Sequence, residues 1–199
     1  MLADKQLVRK FRLGEEQAFE SLVNRYLKPL YRFVFQLTQD EQAAEDIVQE
    51  TFVKVWKSLA KFDENKKFST WLYAIAKNTT LDWLKKKKTL PFSAFESADG
   101  SNFLEMVKDQ TAPVAVELWQ KMDNAQAAEQ FLNSLSPQLR ALLLLHYKEG
   151  FSLVEIAEIF GQPVNTIKSQ ARRAIIFLRK KGFPVRAEAR TAPETVATS

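Results

Sequence analysis

The chain contains no cysteine, which removes disulfide frameworks and thiolate metal sites together. It has a single histidine, His146, so a zinc or haem site would have to be built almost wholly from carboxylates. No metal and no cofactor is expected. Only five glycines occur, at 14, 100, 150, 161 and 182, and none clusters into a loop able to cradle phosphates. Long apolar runs are missing as well. The longest clean one, residues 141–145, falls far short of the ~20 residues that cross a bilayer. Residues 1–11 carry Asp4, Lys5, Arg9 and Lys10 and lack the apolar core of a secretion signal. A cytoplasmic protein is expected.

What the chain does have is charge, unevenly placed. Of its 199 residues 46% are hydrophobic and 27% charged, and the net charge is +5. Length alone allows one medium domain or two small ones. Residues 1–88 hold 17 basic against 12 acidic residues, 89–125 hold 2 against 6, 126–183 hold 8 against 4, and 184–199 balance at 2 each. Two basic blocks therefore flank an acidic connector. That connector contains Pro91, Gly100 and Pro113 and sustains no periodicity, so it reads as a linker. The Ala-, Thr- and Pro-rich tail after it reads as disordered. Two basic blocks fit two contacts along one polyanion, a nucleic acid; the plainer alternative is that lysine-rich faces merely solvate helices.

Helical spacing dominates and strand-like alternation is absent, so the class is all-α. In the first block, Phe19, Leu22, Val23, Tyr26, Leu30, Phe33, Val34 and Leu37 recur at helical intervals, and Pro29 predicts a kink or break near Tyr26. A second helix over about residues 41–60 has a buried stripe of Ala44, Ile47, Val48, Phe52, Val55, Trp56 and Leu59. Its other face carries Glu45, Asp46, Gln49 and Glu50. Ser69 is a good N-cap for a third helix that ends in the run Lys85, Lys86, Lys87 and Lys88. Lysines at a helix C-terminus are favoured by the dipole alone, although four exceed what a cap needs. A bundle of three to four helices follows.

The second basic block is more specific. Ser136 and Pro137 open one helix. Ser152 and Glu155 form the S-x-x-E box of the next, Gly161 and Pro163 mark a tight turn, and a basic helix begins at Val164. Ala157, Gly161 and Ile167 supply a small contact residue, a turn glycine and a β-branched anchor, the pattern of a helix-turn-helix. In the last helix Val164, Ile167, Ala171, Ala174, Ile175 and Leu178 face inward. That leaves Asn165, Thr166, Lys168, Ser169, Arg172 and Arg173 for a major groove, or for solvent.

The stretches AAEDIVQETFVKVWKSL (43–59), FSTWLYAIAKNTTLDWLKKKK (68–88) and LSPQLRALLLLHYKEGFSLVEIAEIFGQPVNTIKSQARRAIIFLRKK (135–181), in this order, resemble the extracytoplasmic-function group of bacterial sigma-70-type factors. The likeness covers residues 14–181 except the connector. It implies two small helical domains: 1–88, binding core RNA polymerase and reading and melting the minus-10 element, and 126–183, reading the minus-35 element. By the resemblance, Asp46, Gln49 and Glu50, beside Phe52 and Trp56, dock on the clamp coiled coil of the polymerase; an acidic, amide-rich face suits a basic helical partner. The loop 61–68 and the helix after it would take the minus-10 strand. Phe62 and Phe68 are candidate stacking surfaces, Asn78 reads a flipped base, and Lys77, Lys85, Lys86, Lys87 and Lys88 hold phosphates. Trp71 and Trp83 are assigned to the core.

Asn165, Thr166, Lys168, Ser169, Arg172 and Arg173 would meet the minus-35 duplex. Many relatives carry a basic residue at the place of Gln170 and a bulkier one at that of Ala171, so no base preference transfers. The acidic connector would thread the polymerase channel, and an anti-sigma factor is an implied partner. The alternative is a stand-alone helix-turn-helix regulator, which normally requires dimeric half-site binding; no dimerisation heptad is present. An enzyme finds no support, because Glu45, Asp46 and Glu50 lack the neighbours that acid-base chemistry needs. His146 is read as a half-buried helix residue.

Overall fold

The computed structural model describes residues 2–87 and 132–181. Lys88, the acidic connector 89–125 and the tail 184–199 lie outside the described residues. Among those described there are seven helices and no strand. They are α1 (Asp4–Arg12), α2 (Glu16–Thr38), α3 (Glu41–Leu59), α4 (Phe68–Lys87), α5 (Pro137–Tyr147), α6 (Leu153–Phe160) and α7 (Val164–Lys180).

The first four helices form one bundle, in which α2 packs on α1, α3 and α4. Helix α1 lies ahead of the periodic pattern read from the sequence. It is held because Leu7 and Val8 are buried and because Asp4 accepts from both Arg25 and Tyr26 on α2. Burial, and then the bond to Asp4, raises the Tyr26 phenol well above its ordinary range.

Two expectations are corrected here. Of the kink or break expected near Tyr26, the break does not occur, and helix α2 runs on through Pro29. An interior proline costs about 3 kcal/mol, whereas α2 buries Leu22, Leu30, Phe33, Val34 and Leu37, each worth roughly 1.5–3 kcal/mol; burial wins. Ser69 is not the N-cap of α4, which already begins at Phe68; the Ser69 hydroxyl is engaged with Tyr26 instead. By contrast α3 starts as a capped helix should, the Asp40 carboxylate accepting from Ala43 N–H at 3.0 Å.

Helices α5, α6 and α7 make the second bundle. Ser136 caps α5 and Pro137 occupies its first position. Leu142, Leu143, Leu144 and Leu145 are almost wholly buried, so α5 is the central rod of this half. The Arg140 guanidinium donates to the carbonyls of Leu132, Asn133 and Leu135, tying down the chain that enters α5. His146 is half-buried, its Nδ1 2.8 Å from the Phe151 carbonyl oxygen.

The two bundles touch. Helix α6 lies on α4, and α5 meets α2 and α4, so one continuous apolar core runs through both.

Candidate functional site

Three surfaces carry the residues singled out by the sequence. The first is the outer face of α3. Asp46, Gln49 and Glu50 are exposed along it, three and four residues apart as neighbours on a helix must be. Gln42 donates to Asp46 at 3.3 Å, and Glu50 pairs with Lys54 at 2.7 Å. Phe52, expected in the buried stripe and also beside the docking face, is 8% exposed and packs on Phe19 inside the bundle, so it is buried as the stripe predicts and is no part of the exposed face. Trp56, expected within the buried stripe, is 40% exposed. Its ring is wedged edge-on between Phe11 and Phe19, with centroids at 4.8 and 4.9 Å. Val53, half exposed on the same face, was not read from the sequence; a valine one turn beyond Gln49 and Glu50, outside the apolar stripe, was the available signal.

The second surface is the loop before α4 and α4 itself. Phe62 and Phe68 are buried, packed on each other and on Trp71. The expectation that they offer free ring faces is corrected. Their burial anchors the loop and the start of α4 to the bundle. Trp71, assigned to the core, is only partly buried and forms a wall of an open cleft of about 560 Å³. Asn78 is exposed.

Lys77 is not exposed. It is 5% accessible, with its ammonium 4.4 Å from the centre of the Phe160 ring. Burial pulls its pKa down to about 8, and the nearby Asp82 offsets this only in part. Lys85, Lys86 and Lys87 are exposed. Lys87 bridges back to Asp40 at 2.5 Å and lies over Trp83. The hydrogen bond from Lys87, added to the N-cap bond, holds the Asp40 carboxyl below the usual range.

The third surface is the helix-turn-helix. Ser152 and Glu155 form the expected reciprocal cap, with Ser152 N–H donating to Glu155 Oε2 at 2.8 Å and Glu155 N–H to Ser152 Oγ at 3.2 Å. Gly161 ends α6 at φ +64°, a left-handed turn natural to glycine. On α7, Asn165 and Lys168 are exposed, and Thr166, Ser169, Arg172 and Arg173 partly so. Ile167, Ala171, Ala174 and Leu178 are buried as expected, but Val164 and Ile175 only partly. Gln170 takes up inner space instead. It is 8% exposed and donates to Gln162 of the turn at 3.1 Å, so it braces the motif rather than facing outward.

The structure brings the second and third surfaces together. Tyr73 of α4 donates to the Glu149 carboxylate at 2.6 Å and lies edge-on against Phe151 at 5.0 Å. Lys67 pairs with Glu155 at 2.5 Å. Burial raises the Tyr73 phenol far above its ordinary range and, less strongly, raises Glu149. Hydrogen bonds from Lys67 and then Ser152 hold Glu155 down at about 2.

Comparison with known proteins places this architecture. A family model for sigma-70 region 2 matches residues 22–89, and one for sigma-70 region 4 matches residues 125–178. The chain is 32% identical over 180 residues to the ECF RNA polymerase sigma factor SigW of Bacillus subtilis, covering 89% of this chain and 95% of that relative. The chain belongs to the extracytoplasmic-function sigma factors. This sigma factor is also 31% identical to the RNA polymerase sigma-H factor of Pseudomonas aeruginosa, over 94% of its own length and 97% of that protein. Its fold superposes on the sigma factor RpoE of Bartonella quintana, solved with the anti-sigma factor NepR, at a TM-score of 0.62 and 27% identity over 84% of this chain and 98% of the other. CnrH, solved with the cytosolic domain of CnrY, shares the fold at a TM-score of 0.64 and 23% identity, over 89% of this chain and 96% of that one.

Within the sigma factor, the contacts between halves were the part that sequence reading missed. Tyr73 and Glu149 are 76 positions apart, and nothing in either helix's own periodicity singles out the pair.

Proposed function

We propose that this sigma factor joins core RNA polymerase through the outer face of α3 and directs initiation by contacting the promoter at two elements. The single observation that carries the polymerase contact is that Asp46, Gln49, Glu50 and Val53 stand together outside the core beside the half-exposed Trp56. An acidic face with an apolar centre suits a basic helix that also buries some apolar surface.

The α4 end of the first bundle, taken as residues 1–88, would read and open the minus-10 element. Asn78 meets an unpaired base, and Lys85, Lys86, Lys87 and Lys88 hold backbone. In the second domain, taken as 126–183, Asn165, Thr166, Lys168, Ser169, Arg172 and Arg173 would meet the minus-35 duplex. The acidic connector would run through the polymerase between them. Chemistry is done by the polymerase; the sigma factor is not an enzyme. No described helix is long and apolar enough to cross a membrane, and action beside the polymerase puts the protein in the cytoplasm. The anti-sigma complex of the RpoE relative supports an anti-sigma partner over the stand-alone regulator.

The test is run-off transcription with core polymerase and a promoter library. Initiation from a defined promoter set only when the chain is added supports the reading. Duplex binding by the chain alone, without any effect on initiation, overturns it. Asp46→Lys is expected to weaken holoenzyme assembly at least tenfold in a fluorescence titration while leaving the fold intact, because it puts repulsion at the centre of the acidic face.

A further inference from the structure

Helix α1 grips the loop before α4 at more than one point. Both carboxylate oxygens of Glu64, in the middle of that loop, are taken by α1. Oε1 accepts from Arg12 Nη1 at 2.7 Å and Oε2 from Arg9 Nε at 2.7 Å. The second amino group of Arg12 donates to the Phe62 carbonyl oxygen, so one guanidinium spans a side chain and the backbone of the same loop. The other end of α1 is fixed where α4 begins, because Asp4 accepts from Tyr26 and the Tyr26 ring packs on Phe68 at 5.5 Å. Fully solvated ion pairs contribute little. Here the side chains of Arg12 and Glu64 are only 30% and 21% exposed, and a planar fork on two acceptors fixes direction as well as distance.

Between the fixed points, residues 63–66 form a tight turn. Lys66 N–H donates to the Asp63 carbonyl at 3.0 Å and Asn65 N–H to Asp63 Oδ1 at 3.0 Å, and Asn65 and Lys66 are exposed on it. Phe62 and Phe68 anchor the two ends of the loop by burial; Glu64 anchors its middle. We propose that Arg9 and Arg12 of α1 are positioning residues for promoter recognition: by fastening Glu64 and the Phe62 carbonyl they hold the 63–66 turn in the orientation in which it meets the minus-10 strand. This rests on assigning the loop 61–68 to that strand. Neither arginine needs to touch DNA. Helix α1 precedes the residues 22–89 that match region 2, so the brace comes from outside the matched segment. If its release leaves the turn correctly oriented in about one molecule in ten, apparent promoter affinity falls about tenfold.

The test uses holoenzyme assembled from core polymerase and the full chain carrying Arg12→Ala, Arg12→Lys, Glu64→Ala, or Arg12→Ala together with Glu64→Ala. Promoter affinity is titrated on one promoter selected from the library and on copies with single base changes in its minus-10 and minus-35 elements. Holoenzyme assembly is titrated separately. In the free chain, hydrogen exchange of the Asn65 and Lys66 amides is compared with that of Phe33 and Val34 in the core of α2.

Arg12→Ala is expected to speed exchange at Asn65 and Lys66 about fivefold or more while Phe33 and Val34 stay as they were. Promoter affinity should fall about tenfold and the preference among minus-10 bases should flatten, with minus-35 preference and assembly unchanged. Arg12→Lys, which keeps the charge but not the fork, should fall between. The double variant should lose much less than the sum of the two single losses, as residues of one network do. Unchanged exchange at the turn overturns the brace, and so does a loss of preference shared equally by the minus-35 element. If calorimetry shows Arg12→Ala unfolded, Arg12→Lys decides on the same readings. The DNA assignment is checked separately with Asn65→Ala plus Lys66→Ala. If that change leaves promoter affinity and minus-10 preference intact, the assignment fails while exchange still reports the brace; a loss there beside an unaffected Arg12→Ala overturns the positioning role alone.

Discussion

Lys77 is the residue whose environment is most at odds with its chemistry. A lysine almost wholly covered makes no ion pair among the described residues, and in return for lost water its ammonium gains a ring face and the weaker pull of Asp82. Replacing it with methionine keeps the length and the contact with Phe160 while removing the desolvated charge. Lys77→Met is expected to stabilise the free chain by roughly 1–3 kcal/mol at pH 7, read as a raised thermal midpoint. The pH dependence has a definite sign. The folded-state pKa of about 8 lies below the ordinary 10.5, so the unfolded chain holds this proton more tightly. The penalty is then complete below pH 8 and is relieved as pH climbs from 8 toward 10.5. The advantage of Lys77→Met should shrink over that window, and a gap that stays constant would show that the charge is not the cause. The resemblance placed Lys77 with the phosphate-binding lysines. Its burial depends on Phe160, 83 positions away, which no local pattern reports.

Elements were far more legible than their surroundings. The caps at Ser136 and Ser152 and the turn at Gly161 mark helix ends by local hydrogen bonding and backbone freedom, and those need no tertiary knowledge. Pro29 misled for the opposite reason, since its local cost is real and is overridden by long-range burial. Pro29→Ala should therefore restore the bond from residue 29 to the Arg25 carbonyl and remove the ring clash. The alanine also frees the unfolded chain, which costs ~0.5–1 kcal/mol. A net gain of about 1–2 kcal/mol is expected, measured by urea unfolding with an unchanged slope. Phe52 and Trp56 show the other limit of helical arithmetic. Both fit the apolar stripe, and only packing against Phe11 and Phe19 settles that one is inside and the other at the rim.

At the scale of the molecule, one core passes through both bundles, so the free chain should melt as a unit. Phe151 sits at the junction, buried and packed on Tyr73. Phe151→Ala is expected to cost about 3 kcal/mol and to split the single calorimetric peak into two, one for each bundle; a single peak at lower temperature would mean that other contacts couple the halves. The junction has one further property. Glu155 gives Oε1 to Lys67 and keeps Oε2 for Ser152, so the strut between the halves and the cap of α6 draw on different atoms of one carboxylate. Loss of the Lys67 bond would therefore leave the Ser152 cap intact, so the start of α6 does not depend on the contact between the halves.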